Sequence, residues 1–445
     1  MESAILLVIG YLTGSAFSTL DEGASSGGPF CPSSTGKQVF GYKQASERNK
    51  YFYLTVDAES RGSTTPTFLY MVGGPGGSSV AAALGVIGPC HLDVDNKTPQ
   101  LNEFSWTKRA RGIFIDGPGS VGFSEGQIEK TLDDYVKHMY NVLIQIVEDQ
   151  PEFGQDLHLV GASFDALTAS RLASTIIADR PASIGLRGVI VLNGVSGTIH
   201  RFEGCTKMAK ARKLVDSRMM RAMKSYMPQC AAEMEACQPD APGGEPKAEE
   251  CQDAVNTCHW RIITPVRERG TSQYDVRAKI GKESDFHPIR MGKVDRFFNR
   301  ADFQAKLGVS RNPWHTVDED AFLRFTKYHS VDISPGINQA LDAGLKVLVL
   351  SGSEDYTTNA VGLLSWAKSL KGVTNYGREL GRARKKTLKF EDGGVVGTIR
   401  SRKFSNNARF AFVEVEGAGH CPMNNNPSGL QQTVEAFFNG ALWGS

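Results

Sequence analysis

Short apolar runs alternate along the chain with longer stretches of helical spacing. Thr67 to Val72 (TFLYMV), Gly112 to Asp116 (GIFID), Leu157 to Ala162 (LHLVGA), Gly188 to Leu192 (GVIVL), Lys346 to Leu350 (KVLVL) and Ala411 to Val415 (AFVEV) have strand length. Most are apolar throughout, which marks strands buried on both faces. Gly41 to Val56 reads as one further strand. Helical patterns fill about 132–148, 167–179 and 335–343. Strands and helices in this alternation predict an α/β fold whose mostly parallel central sheet is flanked by helices.

In such a sheet, chemistry gathers beyond the carboxyl ends of the strands. Leu157 to Ala162 runs into Ser163-Phe164-Asp165 and then a helix, a strand-turn-helix corner that lifts a serine hydroxyl clear of the sheet. Gly161 fits the small-residue pattern G-x-S-x-G of that corner, and Asp165 departs from it. Gly122-Phe123-Ser124-Glu125-Gly126 matches the letters but lies well past its nearest strand, so Ser124 reads as a loop residue. The strand at Thr67 enters Gly73-Gly74-Pro75-Gly76-Gly77, whose backbone N–H groups suit an oxyanion; no Gly-Lys-Ser/Thr follows to suit a phosphate. Asp355 follows the strand at Lys346, and His420 follows the strand at Ala411. The order Ser163, Asp355, His420 is that of an α/β-hydrolase, in which the acid orients the histidine and the histidine deprotonates the serine.

From about 198 to 330 the character changes to charged, strand-poor sequence holding five of the eight cysteines, which predicts a mainly helical insertion. The division is then 1–18, a leader; 19–197, the first part of the core; 198–330, the insertion; and 331–445, the second part. Cys230-x6-Cys237 and Cys251-x6-Cys258 flank a Pro/Gly-rich link, so two antiparallel helices stapled by Cys230–Cys258 and Cys237–Cys251 are expected. The spacing does not suit zinc, and no metal or organic cofactor is indicated. The apolar run Ala4 to Phe17 followed by small residues reads as a secretory signal. With an even cysteine count and a glycosylation sequon at Asn96, this points to the secretory pathway, either outside the cell or in a vacuole- or lysosome-like compartment. At 40% hydrophobic and 22% charged residues with a net charge of +2, the 445-residue chain is a folded globular protein. It has no electrostatic case for nucleic acid and no later span for stable membrane insertion. Oligomeric state is not legible.

From about Gly41 to Phe438 the chain resembles the serine carboxypeptidase family of α/β-hydrolases. Val72 to Ser79 (VGGPGGSS) is similar to the family's N-G-G-P-G-C-S-S, and Asp116 to Ser124 (DGPGSVGFS) to its D-Q-P-x-G-x-G-F-S. Gly161 to Ala166 (GASFDA) lies where the family has G-E-S-Y-G-G, Gly352 to Asn359 (GSEDYTTN) where it has G-D-x-D-x-x-x-N, and Gly417 to Pro427 (GAGHCPMNNNP) where it has G-A-G-H-M-V-P-x-D-Q-P. The resemblance implies Ser163 as nucleophile, His420 as base and then acid, Asp355 rather than Glu354 as the orienting carboxylate, and the N–H groups of Gly74 and Phe164 as oxyanion donors.

It also exposes departures. Polar groups that recognise a substrate's terminal carboxylate in the family are replaced by Val72, Ala162 and Val86, which with Gly73 and Cys421 would line an altered substrate pocket. Cys421 reads either as a thiol open to mercurials or as a buried residue or half-cystine. The leading expectation is a serine-type peptide hydrolase working through an acyl-enzyme, most simply a carboxypeptidase. An acyltransferase or esterase with the same triad, acting on an acyl substrate, is the second reading. A non-catalytic binding protein, its corner spoiled by Asp165, is the third.

Overall fold

The computed structural model describes residues 28, 30–62, 64–92, 98–241, 243–280, 291–309, 311, 313–390 and 394–443. The expected leader, residues 1–18, and the expected glycosylation site at Asn96 lie outside them. The strands are β1 (Gln38–Gln44), β2 (Lys50–Val56), β3 (Thr67–Met71), β4 (Cys90–Leu92), β5 (Pro99–Leu101), β6 (Arg111–Ile115), β7 (Leu157–Ala162), β8 (Leu186–Leu192), β9 (Lys346–Gly352), β10 (Lys386–Lys389), β11 (Val395–Lys403) and β12 (Arg409–Val415). One sheet runs β1-β2-β6-β3-β7-β8-β9-β12-β11-β10, and β4 pairs with β5 apart from it. Pairing is parallel from β6 through β12 and antiparallel at both edges.

Alternation along the central strands explains why they are apolar throughout. Leu159 of β7, Val189 and Val191 of β8, and Val347 and Val349 of β9 enter one core. Their neighbours Val160, Ile190, Leu192, Leu348 and Leu350 enter the core on the opposite face. Both faces are covered, so no polar stripe remains to break the run.

Two features differ from the expectation. Gly41 to Val56 is not one strand but the β1–β2 hairpin, whose turn Ala45–Asn49 closes through Ala45 N–H donating to Asn49 C=O at 2.9 Å. Ser46, Glu47 and Arg48 give the turn its polar, solvent-reached residues, and buried Asn49 donates through Nδ2 to Gln127 C=O and Glu129. Strands β10 and β11 are additions at the far edge; their charged positions (KTLK, VVGTIRSRK) face solvent and carry no buried-strand signal.

Between β8 and β9 the chain makes a helical excursion, with no strand among its described residues. It leaves and returns at one place: Ile333 N–H donates to Ser196 C=O at 3.2 Å, and a Cβ on Gly197 would fall 1.6 Å from Val331 O. Its own small core gathers Phe202, Met208, Met223, Met234, Ile262, Ile263 and Val266 around Tyr356. The helices Met227–Ala236 and Ala248–Cys258 are joined by Cys230–Cys258 and Cys237–Cys251, and Cys31–Cys90 ties the N-terminal segment to β4. Disulfides of this kind fit an oxidising compartment of the secretory pathway. Among the described residues no helix is long and apolar enough to cross a membrane.

Candidate active site

Adjacent parallel strands bring distant residues to one edge. β7, β8, β9 and β12 are neighbours in register, with Ala162 opposite Leu192, Leu192 opposite Leu350 and Gly352 opposite Val415. Ser163, Asn193, Asp355 and His420 therefore all follow strands at the same edge. Hydrogen bonds link their loops: Val195 N–H donates to Ser163 C=O at 2.8 Å, and Asn193 Nδ2 donates to Asp355 Oδ2 at 2.7 Å.

Ser163 sits at φ +53°, a left-handed conformation that L-residues adopt at a cost and that puts its side chain on the outside of the corner. The helix Ala166–Asp179 begins only after a tight turn at Ser163–Asp165. Gly161 is required here, because a Cβ on it would fall 2.3 Å from Asp165 O and 2.7 Å from Ala166 Cα.

A carboxylate and an imidazole meet here. His420 Nδ1 lies 2.8 Å from Asp355 Oδ2. A carboxylate can only accept, so Nδ1 carries the proton and Nε2 is left as the basic nitrogen. Asp355 is fully buried; Thr358 donates to it through Oγ1 and, at 3.1 Å, through its backbone N–H. Burial alone would raise this carboxyl, but the His420 charge and the hydrogen bonds from His420, Thr358 and Asn193 outweigh it and hold the group below its ordinary range. Glu354 turns away to Arg212, 2.6 Å from its Nη2. The Ser163 hydroxyl has no hydrogen-bond partner among the described residues, so the serine–imidazole link is the one contact of the expected triad not closed here. Such links often tighten only when substrate arrives.

The glycine turn packs directly on the corner. A Cβ on Gly73 would meet Ala162 O at 2.5 Å, Ser163 Cβ at 2.9 Å and Phe164 N at 3.0 Å. Among the described residues neither Gly74 N–H nor Phe164 N–H has an intramolecular acceptor, which leaves both available to an oxyanion. Ser124 is structural: its Oγ donates to Asp116 C=O and accepts Phe52 N–H, both at 2.8 Å.

Residues 29–440 match the model of the serine carboxypeptidase family. The chain belongs to this family. It is 27% identical over 428 residues to carboxypeptidase Y homolog A of Aspergillus oryzae, covering 92% of this chain and 74% of that relative. The match to carboxypeptidase Y homolog A of Emericella nidulans is also 27%, over 439 residues, with 93% and 75% covered. Among solved structures, Kex1(delta)p, a prohormone-processing carboxypeptidase from Saccharomyces cerevisiae, superposes with a TM-score of 0.73 at 19% identity, over 91% of this chain and 92% of that one. That likeness shows the shared α/β-hydrolase fold. Serine-type carboxypeptidase function is what membership of the family supports.

Within this serine carboxypeptidase fold the substituted pocket residues are apolar in place as well as in kind. Val72 and Ala162 are buried, and Val86 is half-buried in the wall of an open cavity of about 430 Å³. The cavity is also lined by Leu84, Leu92 and Met423, the last on the turn that follows His420. Half-buried Lys293 borders it and makes no ion pair among the described residues. No triad side chain lines it.

Cys421 is a free, buried thiol, so of its expected readings the buried residue holds and access to mercurials and a half-cystine do not; burial pushes its pKa well above the usual range. Cys205 is likewise free and buried. Among the described residues no cluster of His, Cys, Asp or Glu could hold a metal. Asp165 does not obstruct the corner: its carboxylate turns back to accept Gly73 N–H at 2.9 Å and Thr168 Oγ1–H at 2.6 Å.

Sequence reasoning missed several site residues. Asn193 ends a recognisable strand and Thr358 lies three residues after Asp355, so both had a positional signal. Tyr274, whose C=O accepts His420 N–H at 2.7 Å and whose ring lies 5.2 Å from the imidazole, comes from the insertion and had none. The same holds for His329, 5.1 Å from the Phe164 ring and kept neutral by burial, its pKa lowered to about 3.

Proposed function

We propose that the chain removes C-terminal residues from peptides through an acyl-enzyme on Ser163. His420 Nε2 takes the Ser163 proton as Oγ adds to the scissile carbonyl, while Asp355 fixes the imidazole and balances its positive charge. Gly74 and Phe164 N–H groups hold the developing oxyanion. His420 then gives the proton to the departing amine, and water, deprotonated by the same imidazole, releases the acyl group. The observation that carries this reading is the buried Asp355–His420 pair at the strand edge that also bears the strained serine.

Val72 and Ala162 cannot hydrogen-bond a carboxylate, so recognition of the free C-terminus moves elsewhere. The cavity that holds Lys293 beside Val86 offers apolar side chains for the leaving residue and, in Lys293, a cation for its carboxylate, although Glu103 lines the same cavity and opposes that charge. The compartment in which this would occur is extracellular or vacuolar.

Fluorophosphonate labelling that is lost in Ser163→Ala, together with turnover of blocked dipeptides bearing a free C-terminus, is the expected result. Lys293→Met is expected to raise KM for those dipeptides and leave their C-terminal amides unaffected. Turnover of simple esters without peptides would favour the esterase or acyltransferase reading, to which the apolar Val72 and Ala162 lend support. Folded protein that resists labelling would leave a binding role.

A further inference from the structure

The glycine turn is fixed at one residue from both sides. Gly73 C=O accepts from Gly77 N–H at 3.0 Å, and Gly73 N–H donates to Asp165 Oδ2 at 2.9 Å across 92 residues of chain. The Gly73–Gly74 peptide is trans, so its N–H points opposite its C=O. Holding Gly73 C=O on Gly77 therefore sets the direction of Gly74 N–H, and holding Gly73 N–H on Asp165 sets where the whole turn sits against the serine corner. Asp165 is itself held, because Thr168 Oγ1–H occupies its other oxygen at 2.6 Å.

At the N-terminus of the helix Ala166–Asp179 a carboxylate is favoured, but that position does not require it to turn toward the glycine turn. It is buried and makes no ion pair among the described residues, and its removal from water pushes its pKa up to about 6. A buried charge without a counter-ion destabilises the folded state. Its neighbours on the same contact, Val72 and Ala162, have no polar side-chain atoms. Among the described residues Asp165 is thus the one side chain of the corner bonded to the glycine turn.

We propose that Asp165 is the positioning residue of the oxyanion site: its carboxylate anchors the glycine turn on the serine corner so that Gly74 N–H faces the acyl oxygen. This rests on Ser163 being the nucleophile. The departure from G-x-S-x-G is then a working part of the site, acting through the backbone of Gly73.

Steady-state kinetics on a blocked dipeptide test this with the full chain. Asp165→Gly restores the small-residue corner but removes the anchor, and is expected to lower kcat by about tenfold to a hundredfold with KM within about twofold, since a displaced oxyanion donor loses much of the effect of a deleted one. Asp165→Asn keeps an oxygen for Gly73 and a partner for Thr168, and is expected to recover most of the lost kcat. Thr168→Val frees the far oxygen; it is expected to lower kcat in the wild-type background and to have no further effect on Asp165→Gly. Wild-type kcat in folded Asp165→Gly would overturn the proposal, as would equal losses in the Gly and Asn variants or additive effects of Thr168→Val. If Asp165→Gly does not fold, the Asn and Val variants decide alone. Labelling that persists in Ser163→Ala would instead overturn the nucleophile assignment, whatever the Asp165 variants do.

Discussion

Thr358→Val removes one donor to the buried carboxylate. Valine keeps the β-branched shape and the backbone N–H, so the change removes the hydroxyl that donates to Asp355 Oδ2 and that also lies 3.1 Å from His420 Nδ1. Three donors remain: Asn193 Nδ2, His420 Nδ1–H and the Thr358 N–H. A hydrogen bond to a charged group contributes about 1.5–3 kcal/mol, so losing it raises the Asp355 carboxyl back toward its ordinary range. The folded-state pKa of Asp355 is depressed, so its stabilisation is present above the unfolded value and is lost as pH falls through the folded value. The variant should therefore be less stable than wild type by about 1.5–3 kcal/mol at pH 7, and the gap should shrink as the solution is acidified and the carboxyl protonates in both. Urea midpoints at unchanged slope, measured from neutral to acid pH, read this directly. Thr433→Val is the control: it deletes a buried hydroxyl whose acceptor is the neutral Gly429 C=O at 2.6 Å, and its effect should not vary with pH. A pH-independent loss in Thr358→Val, no larger than that of the control, would refute the account of a donor-stabilised carboxylate.

The remaining predictions concern the cysteines. Chain-entropy loss makes the Cys31–Cys90 bridge, with a separation of 59 residues, the most stabilising at about 4 kcal/mol, against about 3 for Cys237–Cys251 with a separation of 14; paired Ser variants ranked by urea midpoint check the order. Cys205 and Cys421, buried with raised pKa values, should be silent to a thiol reagent in native protein and react together on unfolding. A native thiol titrating at the rate of a free peptide would contradict the burial.

The serine corner, the strand-end acid and the strand-end histidine were legible because a parallel sheet writes itself as apolar runs, and the residue after such a run has a known place. The helical stapling of Cys230 to Cys258 was legible because a seven-residue spacing keeps two cysteines on one helix face. The β1–β2 turn and the strands β10 and β11 were not, since edge strands with one wet face look like loops. The orientation of Asp165 was not legible either. Its sequence position says only that a glycine is missing; which way its carboxylate turns depends on a loop 92 residues earlier.

The sequence by itself determined which residues follow buried strands, and hence which side chains can reach one sheet edge, because side-chain alternation and chain polarity are local properties. Only the tertiary structure decided what those side chains touch: Thr358 and Asn193 on Asp355, Tyr274 against His420, the apolar wall at Val86 and the anchor from Asp165 to Gly73. Those contacts join segments far apart in the chain, and their energies come from burial and donor geometry that no spacing along the sequence records.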